Sequence, residues 1–171
     1  FDTDQLIMTF TDVENFRKKI DTNYKSNRTK RKPCGFKRLL NWAKTEFECI
    51  RMPQLEADDV LGILSTSGCY TNFVIVSPDK DMEQIPCRIY NLKEEFTQTP
   101  EQAEYKLYEQ CLSGDPVDGY SGIKGIGKKK AQSILNNKEG TYWDTVLKAF
   151  KDHGYKEADA LKQLRLAKIL H

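Results

Sequence analysis

Histidine is almost missing from this chain: the two present, His153 and His171, lie near its end. That scarcity nearly excludes Ser-His-Asp and Cys-His mechanisms and any histidine-rich zinc site. Cysteine is scattered at positions 34, 49, 69, 87 and 111, with no CxxC pair and no zinc-finger spacing. An odd, dispersed set predicts buried thiols in a reducing compartment. No apolar run approaches the roughly 20 residues that cross a bilayer; the longest is the short stretch around Phe73-Val74-Ile75-Val76. No signal peptide opens the chain, so a cytoplasmic protein with no membrane partner is expected. An excess of one charge is lacking too. Lys and Arg number 27 against 25 Asp and Glu, a net +2 that cannot by itself mark a nucleic-acid binder. Carboxylates, lysines or bound metal must therefore carry any chemistry.

What is present suffices for a core. The 171 residues are 39% hydrophobic and 30% charged, which predicts one domain, or one with a small appendage. Residues 4–10 read as the end of a buried strand with Asp12 just past it. Residues 13–34 are polar without a clean period. Residues 35–50 show helical spacing, with Phe36, Leu39, Leu40, Ala43 and Phe47 near one face. Glu56 to Ser67 reads as a helix stopped by Gly68. Asn72 to Ser77 and Arg88 to Leu92 read as short strands, with Ser77-Pro78-Asp79 as a turn and helix start. This alternation predicts an α/β layer with a mostly parallel sheet over residues 1–98. Residues 99–171 become helical, with helices predicted at 101–112, 128–136, 142–153 and 156–169.

Four acidic groups stand out: Asp12, Glu56-Ala57-Asp58-Asp59, Asp79-Lys80-Asp81 and Asp115-Pro116-Val117-Asp118. Each alone has a bland explanation, since acids favour helix N-termini and Asp favours turns. Together they point elsewhere. In an open parallel sheet, ligands bind outside the carboxyl ends of the strands, where Asp12, Asp79 and Asp81 are expected. Glu56 and Asp59, three apart, share a helix face. Carboxylates gathered that closely cannot all stay ionised unless a counter-charge joins them. Oxygen-only ligands suit Mg²⁺ or Mn²⁺. Two such ions roughly 4 Å apart would clamp the attacking and leaving oxygens of a phosphodiester displacement.

The basic residues fit the same substrate. Lys25, Arg28, Lys30, Arg31, Lys32, Lys37 and Arg38 fall in an acid-free stretch, either a solvated loop or a basic arch for a phosphate backbone. Lys25 and Arg28 are candidates to stabilise charge developing on a scissile phosphate. The segment from Gly122 to Ala131, GIKGIGKKKA, carries Gly125 and Gly127 between two short helices. Backbone amides there can approach a phosphate unobstructed, with Lys128 and Lys129 adding charge. Ile123 and Ile126 are expected to pack between the helices. No strand precedes these glycines, so the Rossmann reading fails, and Lys129 follows Lys128, so a Walker A loop fails.

The segments FTDVENFRKKIDTNYKSNR (10–28), LEADDVLGIL (55–64), VIVSPDKDMEQIP (74–86) and SGDPVDGYSGIKGIGKKKAQSIL (113–135) resemble the 5′-nuclease superfamily. That superfamily includes flap endonucleases and the 5′–3′ exonuclease domain of bacterial DNA polymerases; the likeness is greatest to the 5′–3′ exonucleases of short-tailed bacteriophages. The resemblance implies a PIN-like, resolvase-like sheet domain over 1–98 and a helical domain over 99–171 with a helix–hairpin–helix at about 119–137. It implies Glu56, Asp58, Asp79 and Asp81, with Asp59 beside them, at one metal site and Asp115, Asp118 and Asp81 at a second. Asp12 resembles the acid after the second strand. Lys25 and Arg28 resemble the basic pair at the foot of the arch. Lys30, Arg31 and Lys32 are assigned to DNA contact, as are Gly122, Gly125, Ile126, Gly127, Lys128 and Lys129 at the hairpin, with a monovalent cation such as K⁺ at the loop carbonyls. The chain opens at Phe1, and the family's first strand, which ends in a metal-binding Asp, has no counterpart, so it is expected to be missing together with the first helix. The distance between YKSNR and EADD is short, so a small arch is expected.

The implied activity is a two-metal, Mg²⁺- or Mn²⁺-dependent 5′–3′ exonuclease or flap endonuclease. It would act on duplex or flapped DNA, or on RNA–DNA hybrids, releasing 5′-phosphates during phage replication, recombination or primer removal in the bacterial host cytoplasm. A catalytically impaired, structure-specific DNA-binding protein is the alternative. A PIN-type ribonuclease would share the acidic cleft but not the hairpin.

Overall fold

The structure, a computed structural model, describes residues 3–28 and 31–171. In chain order, β1 (Ile7–Thr9), α1 (Arg17–Ile20), α2 (Phe36–Glu46), β2 (Glu48–Ile50) and α3 (Ala57–Thr66) lead to β3 (Ile75–Val76) and a 3₁₀ turn at Lys80–Gln84. Strands β4 (Arg88–Tyr90) and β5 (Glu95–Thr97) follow. Four helices complete the chain: α4 (Pro100–Ser113), α5 (Lys128–Asn136), α6 (Tyr142–Asp152) and α7 (Glu157–Ala167).

The helices start where side chains can satisfy free amides. At α4, the Thr99 hydroxyl accepts from Gln102 N and the Gln102 side chain accepts from Thr99 N, with Pro100 entering the first turn. Thr141 and Asp144 do the same for α6. These reciprocal pairs explain why the helical half follows its predicted boundaries closely.

The strands are shorter than expected. β1 runs parallel to β2, with Met8 opposite Cys49. β3 runs parallel to β4, with Ile75 opposite Ile89, and β5 is antiparallel to β4, with Ile89 opposite Phe96. Among the described residues they form two small sheets, β1-β2 and β3-β4-β5. The predicted helix over 35–50 ends at Glu46. Phe47 turns to extended backbone, and Glu48–Ile50 pairs with β1. The inward face expected of that helix is corrected as well. Only Ala43 of α2 is buried, while Phe36, Leu39 and Trp42 are exposed. β5 escaped the sequence reading. Its hairpin is set by Asn91, whose side chain accepts from the amides of Lys93 and Glu94, with Leu92 at a left-handed φ of 72°.

Three apolar clusters hold these elements. The largest lies among α4 to α7 and includes Leu112, Ile123, Leu135, Val146 and Phe150. A second gathers Ile75, Met82, Ile85 and Ile89 beneath the β3-β4-β5 sheet, with Ile169 from the end of the chain. A third joins Tyr24, Leu107, Tyr120 and Leu166. Each large side chain fully buried here contributes about 1.5–3 kcal/mol. The thiols are only partly as expected: Cys87 and Cys111 are buried, whereas Cys34 and Cys69 are exposed. Burial pushes the Cys87 thiol up to about 11 and Cys111 up to about 12, so neither is a nucleophile. No helix among the described residues is long and apolar enough to cross a membrane.

Candidate active site

The site begins at the first turn of α3. Glu56 is its extended N-cap residue and accepts from the backbone of the third helical residue, while the Asp59 carboxylate accepts from Glu56 N at 3.1 Å. This reciprocal cap presents Glu56 and Asp58 at the N-terminal end of the helix. Asp79 plays the same part for the 3₁₀ turn after β3, accepting from Asp81 N at 2.9 Å.

The loop after α4 supplies the third acidic pair. Asp115 N donates to Tyr120 O at 2.9 Å, and Asp115 Oδ1 accepts from Val117 N at 2.8 Å, closing a tight loop. Gly119, at φ +81°, lets that loop press on the turn at residues 23–25: a Cβ there would lie 2.8 Å from Asn23 O. Lys25 takes φ +53° and donates its own N–H to Asp118 O at 2.8 Å.

Cations and hydroxyls then tie the pairs together. Lys25 Nζ pairs with Glu56 Oε1 and lies 3.4 Å from Asp118 Oδ2. Tyr24 OH donates to Glu56 Oε2 at 2.9 Å and lies 3.4 Å from Asp118 Oδ2. Arg28 pairs with Asp118 Oδ1. Lys80 Nζ lies 3.5 Å from Asp115 Oδ2.

The electrostatics show how crowded the acids are. Burial first, then the Asp79 carboxylate, pushes the Asp58 carboxyl up to about 6, against the opposing pull of Lys25. Burial and Asp79 also raise Asp81, with Asp115 adding to the effect and Lys80 and the Gln110 amide opposing it. Burial pushes the Tyr24 phenol up, with Glu56 and Asp118 contributing, and the Tyr120 phenol up, with Asp81, Asp115 and Asp118 contributing. Lys25 and Tyr24, between Glu56 and Asp118, and Lys80, beside Asp115, thus bring acids from three separate segments of the chain together.

Two of the predicted ligands stand apart. Asp59 is completely buried, and Arg17 grips it from both sides: Nη1 donates to Oδ2 and Nη2 to Oδ1, each at 2.7 Å. Its oxygens also accept from Glu56 N and Leu170 N. Its lone pairs are filled by the protein, so its assignment as a metal ligand is corrected to a structural one. Asp12 turns to the loop before α3, accepting from Gln54 N at 2.7 Å with Arg51 at 3.5 Å. That backbone hydrogen bond leads the causes holding its carboxyl below the usual range. These contacts tie Asp12 to the segment just before α3.

Do the remaining six suit divalent cations? Among the described residues no three Asp, Glu, His or Cys side chains converge closely enough to hold an ion as they stand; Lys25, Arg28 and Lys80 supply the counter-charge instead. The donor chemistry nevertheless fits. The donors are all carboxylate oxygens, two carboxyls are raised by crowding and burial, and no hydrogen bond or ion pair engages Asp58 among the described residues. Such a set suits a hard cation better than a lysine ammonium.

The basic elements flank this group. Arg31 and Lys32 are exposed, with Lys32 Nζ 4.7 Å from the Phe36 ring centroid; Lys30 lies outside the described residues. In the glycine segment, Gly125 and Gly127 are open, with nothing within 4 Å of a Cβ at either, and Lys128 and Lys129 are exposed. Gly122 and Ile126 are buried. A Cβ on Gly122 would lie 2.4 Å from Leu112 O and Gly114 N, so this glycine is needed for the loop's close approach to the end of α4. The sequence reading missed Arg17, Tyr24, Gln84 and Gln110. Tyr24 adjoins Lys25 and could have been found from that pairing; Arg17 and Gln84 lie within segments that carry the resemblance, but their partners, Asp59 for one and Gln110 with residues 167 and 169 for the other, are distant in the chain.

A sequence profile of the 5′–3′ exonuclease N-terminal resolvase-like domain matches residues 1–109. The chain belongs to this family. The exonuclease of Escherichia phage T7 is 34% identical over 208 aligned positions, covering 96% of this chain and 68% of that protein. The exodeoxyribonuclease of Enterobacteria phage T3 is 32% identical over 207 positions, with the same coverage. The aligned spans exceed 171 positions, so these relatives carry internal residues that this 5′–3′ exonuclease family member does not. Among solved structures, the phage T5 D15 protein crystallised with metal ions shares 17% identity at a TM-score of 0.67 over 98% of this chain and 76% of its own. A T5 D15 flap endonuclease variant in a pseudo-enzyme-product complex with DNA and metal ions shares 16% identity at a TM-score of 0.69, over 98% and 75%. These likenesses establish the fold.

Proposed function

We propose that this exonuclease-family chain hydrolyses DNA phosphodiesters at or near a 5′ end. The observation that carries the reading is the meeting of acids from three segments around shared cations: Lys25 lies between Glu56 and Asp118, Arg28 pairs with Asp118, and Lys80, between Asp79 and Asp81 in the chain, lies beside Asp115. Relatives named as exonucleases, and a related fold crystallised with DNA and metal ions, support it. Two Mg²⁺ or Mn²⁺ ions are the cofactors proposed for this group; when bound they would supply Lewis-acid activation of water and neutralise charge on the leaving phosphate.

The protein's own residues do the rest. Glu56, Asp58, Asp79 and Asp81 would hold one ion, and Asp115 and Asp118, together with Asp81, the other. Lys25, released from Glu56 and Asp118, turns to the scissile phosphate and stabilises its charge, with Arg28 beside it. Arg31 and Lys32 follow the strand near the 5′ end. The exposed glycines Gly125 and Gly127, with Lys128 and Lys129, hold the duplex backbone downstream, with K⁺ proposed at the loop carbonyls. RNA–DNA hybrids are proposed as second substrates, the bacterial host cytoplasm as the setting, and residue 98 as the boundary between the sheet-bearing and helical parts.

Release of nucleotides from a 5′-labelled duplex tests the reading. Release is expected with Mg²⁺ or Mn²⁺ and not in EDTA, and Asp79→Asn should lower it at least about 100-fold while duplex binding persists. Protein that binds duplex ends yet releases nothing with either ion would establish the non-catalytic DNA-binding alternative.

A further inference from the structure

We infer that Gln110 is a positioning residue that orients Asp81, and that the backbone at residues 166–170 dictates its orientation through Gln84. Gln84 is 1% exposed and Gln110 6%, so neither amide has water to satisfy it. Ile169 N can only donate, and it donates to Gln84 Oε1 at 3.0 Å. Ala167 O can only accept, and it takes a hydrogen from Gln84 Nε2, also at 3.0 Å. The second hydrogen of that nitrogen goes to Gln110 Oε1. With its oxygen so occupied, Gln110 must present Nε2 to Asp81, and it donates to Oδ1 at 2.6 Å. No member of this chain can turn over without placing two donors or two acceptors face to face.

The consequence falls on one carboxylate. Asp81 lies between two acidic pairs: its amide donates to Asp79 Oδ1 at 2.9 Å, and its neighbour Lys80 reaches to 3.5 Å from Asp115 Oδ2. A donor fixed on Oδ1 sets the plane of the carboxyl and leaves Oδ2 for a cation, as outer hydrogen bonds do for metal ligands generally. The inference rests on reading Asp81 as a ligand in the proposed function.

Titration calorimetry of Mn²⁺ into the full chain without DNA tests it, with the melting temperature in EDTA recorded for every variant. Gln110→Met keeps the volume and removes both hydrogen bonds; Mn²⁺ binding should weaken about tenfold. Gln84→Met leaves Gln110 in place but free to turn its oxygen to Asp81; weakening of about threefold is expected. Gln132→Met removes an equivalent amide bond to Glu109, on the same helix as Gln110. It should lower the EDTA melting temperature similarly and leave Mn²⁺ affinity within about twofold. Folded Gln110→Met and Gln84→Met proteins that bind like the wild type would overturn the inference alone. So would equal weakening by Gln132→Met, which would mean general loosening. Should Gln110→Met fail to fold, Gln84→Met decides. A wild-type chain that takes up no Mn²⁺ would remove the metal reading and this inference with it.

Discussion

Lys25 carries two conflicting demands. Its backbone lies at φ +53°, a conformation that costs an L-residue about 1 kcal/mol, yet it places Nζ between Glu56 and Asp118. Strain of this kind gathers where a side chain must be aimed. Lys25→Gly should separate the two effects. The glycine relieves the backbone, so the melting temperature should stay within about 2 °C of wild type. Nucleotide release should fall about 100-fold at saturating substrate, while duplex affinity changes less than about threefold. An equal loss of binding and turnover would make Lys25 a simple phosphate contact. Of the candidate site, Glu56 and Asp58 stood out because they open a helix, and Asp79 and Asp81 because they follow a strand, where a ligand site is expected; Lys25, Asp115 and Asp118 lie in loops and stood out only as part of a basic run and an acidic pair. Asp59 was misread for a physical reason: the spacing that makes a capping box also makes a pair of ligands on one helix face, and Arg17, which decides between them, is 42 residues away.

Helix α3 is held by a close crossing rather than by its own propensity. Gly62 sits beneath the carboxyl-terminal segment, where a Cβ would lie 2.2 Å from Leu170 O. That approach lets Leu170 N reach Asp59 Oδ1 at 3.1 Å and lets Arg17 donate to Leu166 O at 3.1 Å and to Lys168 O. Gly62→Ala, which an isolated helix would welcome by about 1 kcal/mol, should instead lower the melting temperature by about 5–10 °C, measured by circular dichroism. A rise would mean that the crossing is loose. The same contrast separates what could be read from what could not. The boundaries of α4, α5 and α6 follow from local chemistry: a Thr99–Gln102 box, a glycine before Lys128 and a Thr141–Asp144 box. Strands β2 and β5 are three residues each; β2 owes its existence to the distant β1, and β5 to β4 across the tight turn at Asn91. Periodicity cannot show a strand that its neighbour creates.

Across the whole molecule, the acidic cleft makes stability depend on pH with a sign opposite to that of ordinary ion-paired carboxylates. Asp58 keeps its proton up to about pH 6 in the fold, but releases it near pH 4 in the unfolded chain. Between those values the unfolded state binds fewer protons than the native one, so stability falls as pH rises, and the penalty is complete above about pH 6. Asp81 acts in the same direction. Asp12, Asp21 and Asp144 act the other way: hydrogen bonds hold their carboxyls below the usual range. Their contribution is complete above about pH 4 and is lost only below it. In EDTA the melting temperature should therefore drop by about 3–6 °C from pH 5 to pH 7. Divalent cations bind the ionised carboxylates, so they should reverse the slope. Millimolar Mn²⁺ should raise the melting temperature by about 5 °C at pH 7.5 and by no more than about 1 °C at pH 5, where protons compete. Scanning fluorimetry across this range with and without Mn²⁺ measures both slopes. A flat EDTA curve together with an Mn²⁺ effect independent of pH would mean that Lys25, Arg28 and Lys80 already neutralise the cleft, leaving no charge for a cation to relieve.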